Sequence, residues 1–312
     1  MVRMDTTEQS ALSPGDVIVG VRHRTSYRIA RMLGAGANGQ VYLATYGRKA
    51  KPCAIKLGAP GSDLELESAL LREVSPKTMY GQPFFWLADS VVWEGTERPF
   101  YVMSYVEGQS LSSFIEQRAV HWLYLTGYHI LRKLAVTHGK GYVFGDLKSS
   151  NLIVSPEGRI ELVDYGAAAL MGSILRQITE LYDREYWNCG SRQADCGYDL
   201  FSFALLFMQH AGAALPGSPE MQVLPQHRSL AELEQAVMEN DNCRPVANVL
   251  KSMLAGRYTN SRQALDEWRQ AIGRIGIVPK VETSSSAKRM NWIAYLSIAV
   301  GAAGMLFYWF LQ

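Results

Sequence analysis

Apolar and polar residues alternate over Tyr27 to Leu33 and again over Gln40 to Thr45, on either side of a glycine-rich run. That pattern predicts two strands joined by a turn. Pro52 to Leu57 reads as a third strand and Phe100 to Val106 as another apolar strand. Asp63 to Val74 carries acidic and apolar residues at helical spacing and predicts a helix. Beyond Ser112 the pattern turns mostly helical, interrupted by Leu152-Ile153-Val154 and Ile160-Glu161-Leu162-Val163, which read as a hairpin. A strand-rich part followed by a helical part predicts an α+β fold with two lobes. The expected organisation is an N-terminal extension over 1–26, polar and loosely ordered to about residue 15, a strand-rich lobe over 27–106 and a helical lobe over 107–272. A basic linker over 273–290 and an apolar segment over 291–311 follow.

That last segment changes the picture. Trp292 to Leu311 contains no Asp, Glu, Lys or Arg. A helix of this length, rising ~1.5 Å per residue, crosses the ~30 Å hydrocarbon core of a bilayer. Trp292 and Tyr295 stand at one end and Tyr308 and Trp309 at the other, where interfacial rings belong. Lys288 and Arg289 precede the span, so the positive-inside rule predicts a single-pass cell-membrane protein with everything N-terminal in the cytoplasm. A buried core helix is the other reading, but core helices seldom run so long without a polar face. No apolar stretch follows Met1 and only Gln312 follows the span, so neither a signal peptide nor an external domain is expected.

Composition narrows the class. Of 312 residues, 48% are hydrophobic and 19% charged, which excludes a disordered chain. With 31 Lys and Arg against 29 Asp and Glu, the net charge of +2 excludes a protein that coats nucleic acid with its whole surface. Cys53, Cys189, Cys196 and Cys243 form no CxxC pair, which argues against a zinc site and for reduced thiols.

The chemistry begins at the first turn. Gly34, Ala35, Gly36, Ala37, Asn38, Gly39 and Val41 lie in a GxGxxGxV pattern, whose glycines let backbone approach a phosphate. Alone the pattern is weak, since dinucleotide folds and plain hairpins share it. A dinucleotide fold places a helix directly after the glycines, whereas Val41-Tyr42-Leu43-Ala44 favours a strand. Cys53-Ala54-Ile55-Lys56 then sets one lysine at the end of an apolar strand, positioned to hold the α- and β-phosphates of ATP.

With Phe144-Gly145-Asp146-Leu147-Lys148-Ser149-Ser150-Asn151 and Asp164-Tyr165-Gly166 further on, the sequence resembles the eukaryotic-like (Hanks-type) protein kinases over about residues 27–270. The resemblance implies a bilobal kinase fold, ATP and Mg²⁺ as cofactors, and proteins with Ser or Thr as substrates. It assigns Lys56 to the ATP phosphates and Glu67 as its ion-pair partner, with Glu65 and Glu73 as competing choices. Asp164 and Asn151 become metal ligands, Asp146 the group that orients the acceptor hydroxyl and takes its proton, and Lys148 a stabiliser of the transferring phosphate. Met103 becomes the gatekeeper of the adenine pocket, Ser104 to Val106 its hydrogen-bonding edge, and Ala54 and Leu152 the apolar surfaces around the ring. Lys148 marks the Ser/Thr branch. Thr179 matches the threonine that touches the catalytic Asp and Lys, Asp199 the buried aspartate opening a central helix, and Glu185 with Arg257 an ion pair bracing the substrate surface.

Two departures stand out. The family's His-Arg before the catalytic Asp is Phe144-Gly145 here, and Asp183-Arg184-Glu185 replaces Ala-Pro-Glu. Gly145 cannot pair with an activation-loop phosphate, because that contact needs a guanidinium. Val143 to Lys148, Leu181 to Trp187 and Ser191-Arg192 further resemble the YabT-type membrane-anchored kinases of spore-forming bacteria. That likeness implies a sporulation-stage role and DNA as a ligand of the linker, while the complete set of Lys56, Asp146, Asn151 and Asp164 predicts autophosphorylation. Between Arg269 and Arg289 five basic residues face one acid, Glu282, a charge that suits anionic lipid as well as DNA. Ser297 and Gly301, and Ala299 and Ala303, are spaced to let two spans approach as a homodimer, although small residues are also common span filler. Two other functions stay open: a pseudokinase scaffold that binds ATP or a partner without phosphotransfer, and a small-molecule kinase.

Overall fold

The structure is a computed structural model and describes residues 11–36, 39–59, 62–74, 76–176, 178–215 and 228–279. Its first part is one antiparallel sheet. β1 (Val17–Val19), β2 (Ser26–Gly36), β3 (Gly39–Tyr46), β4 (Lys51–Leu57), β5 (Phe85–Trp93) and β6 (Thr96–Met103) align in the order β1-β2-β3-β4-β6-β5. Helix α1 (Leu64–Val74) lies between β4 and β5 in sequence and packs on β5 and β6. Period-two alternation explains how β4 serves two cores at once. Cys53, Ile55 and Leu57 point into a small core with Tyr27, Ile29, Tyr42, Phe100 and Val102. Ala54 joins the larger core on the opposite face, and Lys56 shares that face. The buried run was legible as a strand, but only the sheet shows which residues face the cleft.

The sheet differs from the sequence expectation at β1, β5 and β6. β5 was not predicted, and β6 occupies Thr96–Met103 rather than Phe100 to Val106. β1 belongs to the stretch read as an extension: Val17–Val19 pair with Ser26–Arg28, and Leu12 is buried with its N–H on the Tyr42 hydroxyl at 3.0 Å. The turn after β1 then crosses to the far edge of the sheet, where the Val21 N–H meets the Ser90 carbonyl at 2.9 Å. Asp89 fixes this crossing by accepting the N–H groups of Arg22 and His23, both at 2.9 Å, and the His23 ring at 3.0 Å. A Cβ at Gly20 would lie 2.2 Å from the Asp89 carboxylate, so only glycine lets the turn come this close.

The second part is helical. β7 (Gln109–Ser110), α2 (Leu111–Glu116) and α3 (His121–His138) lead to β8 (Tyr142–Val143), followed by the hairpin β9 (Leu152–Val154) and β10 (Ile160–Leu162), as expected, and by β11 (Ala169–Leu170). α4 (Cys196–His210), α5 (Leu230–Glu239), α6 (Ala247–Leu254) and α7 (Ser261–Arg274) complete it. α4 is buried on every side from Cys196 to Met208, as a helix with apolar residues all round must be. Trp268 of α7 stands edge-on to Phe203 and Phe207, with ring centroids 5.2 and 4.9 Å away. Gly127 of α3 makes room for it, since a Cβ there would come within 2.8 Å of the indole. Burial pushes the Cys53 and Cys243 thiols up to about 12, so both act as packing groups rather than nucleophiles.

The expected membrane span over 291–311 and the linker from residue 280 lie outside the described residues. Among the described residues, no helix is long and apolar enough to cross a membrane.

The Asp89 clasp is testable by pH. Burial pushes its carboxyl up, but the N–H groups of Arg22, His23 and Ser90 outweigh burial and hold it below the ordinary carboxylate value. A carboxyl depressed on folding stabilises the fold above its unfolded pKa of about 3.9 and ceases to do so as pH falls through the folded value. Asp89→Asn should cost about 2 kcal/mol in urea unfolding at neutral pH. The gap to wild type should close on acidification below the ordinary carboxylate range.

Candidate active site

Lys56 sits at the centre of the cleft. Its ammonium lies 2.8 Å from both carboxylate oxygens of Glu67 on α1 and 3.0 Å from Asp164 Oδ1, just beyond β10. The Tyr101 hydroxyl donates to Glu67 Oε1 at 2.9 Å. Burial alone would lower the Lys56 pKa, yet the two carboxylates outweigh it and hold the ammonium above its ordinary value. Asp164 moves the other way. Burial raises its carboxyl, but Lys56 and the Gly166 N–H bring it below its ordinary value. The competing glutamates are elsewhere: Glu65 is exposed, and Glu73 accepts the Tyr142 hydroxyl at 2.7 Å.

The catalytic loop supplies the second constellation. Asp146 Oδ1 accepts the Thr179 hydroxyl at 2.7 Å, and Asp146 Oδ2 lies 2.5 Å from the Lys148 ammonium. Lys148 also donates to Thr179 at 3.4 Å, so the predicted contact of this threonine with both residues is present. Asn151 donates through Nδ2 to the Asp146 carbonyl at 2.9 Å and to Asp146 Oδ2 at 3.2 Å, while its Oδ1, on the other side of the amide, accepts the Ser150 hydroxyl at 3.5 Å. Asp164 commits Oδ1 to Lys56 and to the Gly166 N–H at 3.1 Å. An amide oxygen and a carboxylate oxygen are hard donors that fit Mg²⁺, which is held by few carboxylates plus substrate phosphates. Asn151 and Asp164 are the residues here that would hold it.

On the nucleotide side, Gly34 pairs with Val41 and Gly36 with Gly39, and Val41 pairs in turn with Lys56. This register sets the glycine-rich strand ends close to the lysine. Gly39 has φ +129°, and a Cβ there would lie 2.2 Å from the Leu57 carbonyl. Gly34, Ala35 and Gly36 are exposed, whereas Ala37 and Asn38 lie outside the described residues. Ala54 and Met103 are register partners, both buried, and Leu152 is fully buried in the same core. Ser104 donates its N–H to the Phe84 carbonyl at 2.8 Å and its hydroxyl to the Pro83 carbonyl at 2.8 Å. What Ser104 offers an adenine edge is therefore its carbonyl, next to the half-buried Val106.

Both centres are held from behind. Asp199, fully buried, accepts the N–H groups of Phe144 at 2.7 Å and Gly145 at 2.9 Å, and His138 Nε2 lies 2.8 Å away. Phe144 stands edge-on to Tyr165 at 5.2 Å, and Tyr165 in turn lies tilted against Phe84 at 5.9 Å. Gly145 has φ +84°, and a Cβ there would be 2.5 Å from the Ala167 carbonyl. The position therefore lacks a guanidinium and is also closed to any larger residue. Backbone bonds hold the segment that follows: β11 pairs with β8, Gly172 donates to the Ala194 carbonyl at 2.8 Å, Ala194 to the Ser173 carbonyl at 2.7 Å, and Leu175 to the Arg192 carbonyl at 2.9 Å.

The expected Glu185–Arg257 pair is corrected. Glu185 meets Arg192 at 3.0 Å, and Arg257 lies exposed after α6. Arg192 reaches Glu185 because it is only seven residues away, across the turn that follows. It also clasps the buried Asp183 at 2.8 Å, which accepts the Tyr198 hydroxyl at 3.2 Å. Sequence reasoning missed Asp183, and also Glu161, a carboxylate fully buried on β10. Glu161 takes Lys133 of α3 at 2.8 Å and the Met79 N–H, while Lys133 also donates to the Lys77 carbonyl at 2.7 Å. This pair ties the loop after α1 to the helical lobe and so helps set where Glu67 stands. An acid alternating with apolar strand residues was the available signal.

A lysine bound to two carboxylates, glycine-rich strand ends close to it and an aspartate–lysine–threonine cluster are a set of groups that can support phosphoryl transfer. Residues 27–264 match the protein kinase domain family, and the chain belongs to that family. It is similar to the serine/threonine-protein kinase YabT of Bacillus subtilis (strain 168), with 33% identity over 207 residues, covering 65% of this chain and 61% of that protein. Serine/threonine-protein kinase PknA of Mycobacterium tuberculosis (strain ATCC 25618 / H37Rv) shares 28% over 163 residues, 48% of this chain and 37% of PknA. Serine/threonine-protein kinase STE20 of Candida glabrata shares 29% over 186 residues, 56% of this chain and 18% of STE20. The matches span less than two thirds of each relative's length.

Removing Lys133 strands the Glu161 charge in the interior. Lys133→Met should cost about 3 kcal/mol in denaturant unfolding, and the Lys133→Met/Glu161→Leu double variant should recover much of that loss.

Proposed function

We propose that this chain is an ATP- and Mg²⁺-dependent serine/threonine protein kinase that autophosphorylates. The observation that carries the reading is the complete set of charged contacts: Lys56 on Glu67 and Asp164, and Asp146 on Thr179 beside Lys148. Lys56 neutralises nucleotide phosphate charge and is aimed by Glu67. Asp146 orients the acceptor hydroxyl and receives its proton, and Lys148 offsets charge on the group in transit. Mg²⁺, when bound at Asn151 and Asp164, supplies charge neutralisation on the phosphates. A pseudokinase would need one of these groups missing or displaced, and each stands in reach of its task. Against a small-molecule kinase stand Thr179 and Asp199, whose contacts are those expected of the protein-kinase branch.

Membrane anchoring through 291–311, a cytoplasmic catalytic domain and a sporulation-stage role belong to the same proposal. They rest on the uncharged run from Trp292 to Leu311 and on the likeness to YabT. Pairing of two spans through Ser297, Gly301, Ala299 and Ala303 would bring catalytic domains together at high effective concentration.

Labelled-ATP incorporation by the purified full chain tests the reaction. Asp146→Asn and Lys56→Met should each lower transfer by roughly 10²- to 10⁴-fold, with label on Ser and Thr. Wild-type rates in either variant, or label confined to Tyr, would overturn the assignment.

Regulation follows from the Gly145 geometry. Ser173→Ala should keep transfer within about twofold of wild type, because backbone bonds hold the segment. Gly145→Arg should slow transfer at least about tenfold, since its Cβ meets the Ala167 carbonyl at a positive φ. Peptide phosphorylation rates decide both.

A further inference from the structure

Between Val17 and Ser62 the sequence carries eight Lys or Arg and no Asp or Glu. Lys56 belongs to the active site. The other seven, Arg22, Arg24, Arg28, Arg31, Arg48, Lys49 and Lys51, are all exposed on β1 to β4 or their turns. Over the whole chain acids and bases nearly balance, so this asymmetry belongs to one piece of the fold.

The sheet register gathers most of them. Val19 pairs with Ser26, Tyr27 with Tyr46, and Tyr46 with Lys51. The β1–β2 turn and the β3–β4 turn therefore lie at the same end of the strands, opposite the glycine turn. Arg24 stands on the first of these turns, Arg48 and Lys49 on the second, and Lys51 and Arg28 on the adjoining strand ends. Where their side chains make hydrogen bonds, the partners are backbone carbonyls: Arg28 donates to Gly15 at 3.2 Å and Arg31 to Met32 at 3.5 Å. Among the described residues none of the seven is in a salt bridge. The nearby acids are engaged elsewhere. Asp89 is buried under the turn, and Asp16 accepts the Ser13 N–H at 2.7 Å. Arg22 borders a cavity that also exposes Glu65 and Glu97, so it is left out of the cluster. Val17 and Val19, on the outer face of edge strand β1, and Val21 beyond it are 43%, 44% and 37% exposed.

Unpaired cations beside exposed aliphatic side chains match the surface of an anionic bilayer, which offers negative headgroups over an apolar interior. We propose that the end of the sheet formed by Arg24, Arg28, Arg48, Lys49 and Lys51, with Val17 and Val19, docks on anionic lipid. The inference rests on the membrane reading of the C-terminal segment. The glycine turn and Lys56 lie at the opposite end of the strands, so the docked lobe keeps its nucleotide cleft open.

The test uses the full chain in vesicles of phosphatidylcholine alone or mixed with phosphatidylglycerol. A water-soluble amine reagent reports how fast Lys49 and Lys51 are acylated, read by mass spectrometry. Acylation should be at least about fivefold slower on the anionic vesicles, and high salt should restore the rate. Arg24→Glu/Arg48→Glu should abolish the protection, with its thermal midpoint and its rate on a soluble peptide unchanged. Chain that floats with both vesicle types and shows equal acylation overturns the docking and leaves the anchor intact. Chain that floats only with anionic vesicles, and not as the charge-reversed variant, supports the docking and overturns the anchor. Protection by a DNA duplex but not by anionic vesicles assigns the face to nucleic acid and overturns the proposal.

Discussion

Three pieces of the chain, remote in sequence, converge on one ammonium. Lys56 comes from a sheet strand, Glu67 from the helix packed behind it and Asp164 from the end of a hairpin in the helical lobe. Taking Lys56 and Glu67 out of water costs several kcal/mol per ion, and only close pairing offsets that cost. The interaction is therefore a constraint on everything around it. Helix α1 must be near enough to deliver Glu67, and the two lobes must be closed enough for Asp164 to reach.

Much of the remaining structure reads as a means of meeting that constraint. Tyr101 donates to Glu67, so the acid has a second partner besides Lys56. Lys133 and Glu161 tie the loop after α1 to helix α3. Tyr165 fills the space between Phe144 and Phe84, linking the lobes through rings rather than charges. Asp199 holds the backbone of Phe144 and Gly145 and so sets the start of the loop that carries Asp146. Side chains locked by packing and by such secondary contacts hold the charged groups of the cleft in place.

Gly145 shows how a departure from a family pattern can be structural as well as subtractive. Its positive φ and the nearby Ala167 carbonyl close the position to a Cβ. The segment after Asp164 makes ladder bonds to β8 and to residues 192–194, so backbone contacts hold it. The six-stranded sheet makes a related point. The chain before Ser26 adds β1 and crosses to the Asp89 edge, contributing to the lobe's core through Leu12 and Ile18.

The two-lobed layout and the β9–β10 hairpin were legible from local periodicity, and Lys56, Asp146, Asn151 and Asp164 were singled out by the glycine run, the strand after it and the resemblance to a family's motifs, all read along the chain itself. Glu67 could be chosen over Glu65 and Glu73, but its contact is a tertiary fact. β5 was missed because its residues mix polar and apolar types, and an edge strand needs only one covered face. Asp89, Asp183 and Glu161 look like ordinary acids until the fold brings N–H groups, Arg192 and Lys133 to them. Arg257 matched a motif by order alone, and Arg192 proved to be the partner of Glu185. Sequence order states which charges exist and how far apart they lie along the chain. Which opposite charge each one meets is decided only when the sheet curls and the lobes close, since pairing depends on distance in space.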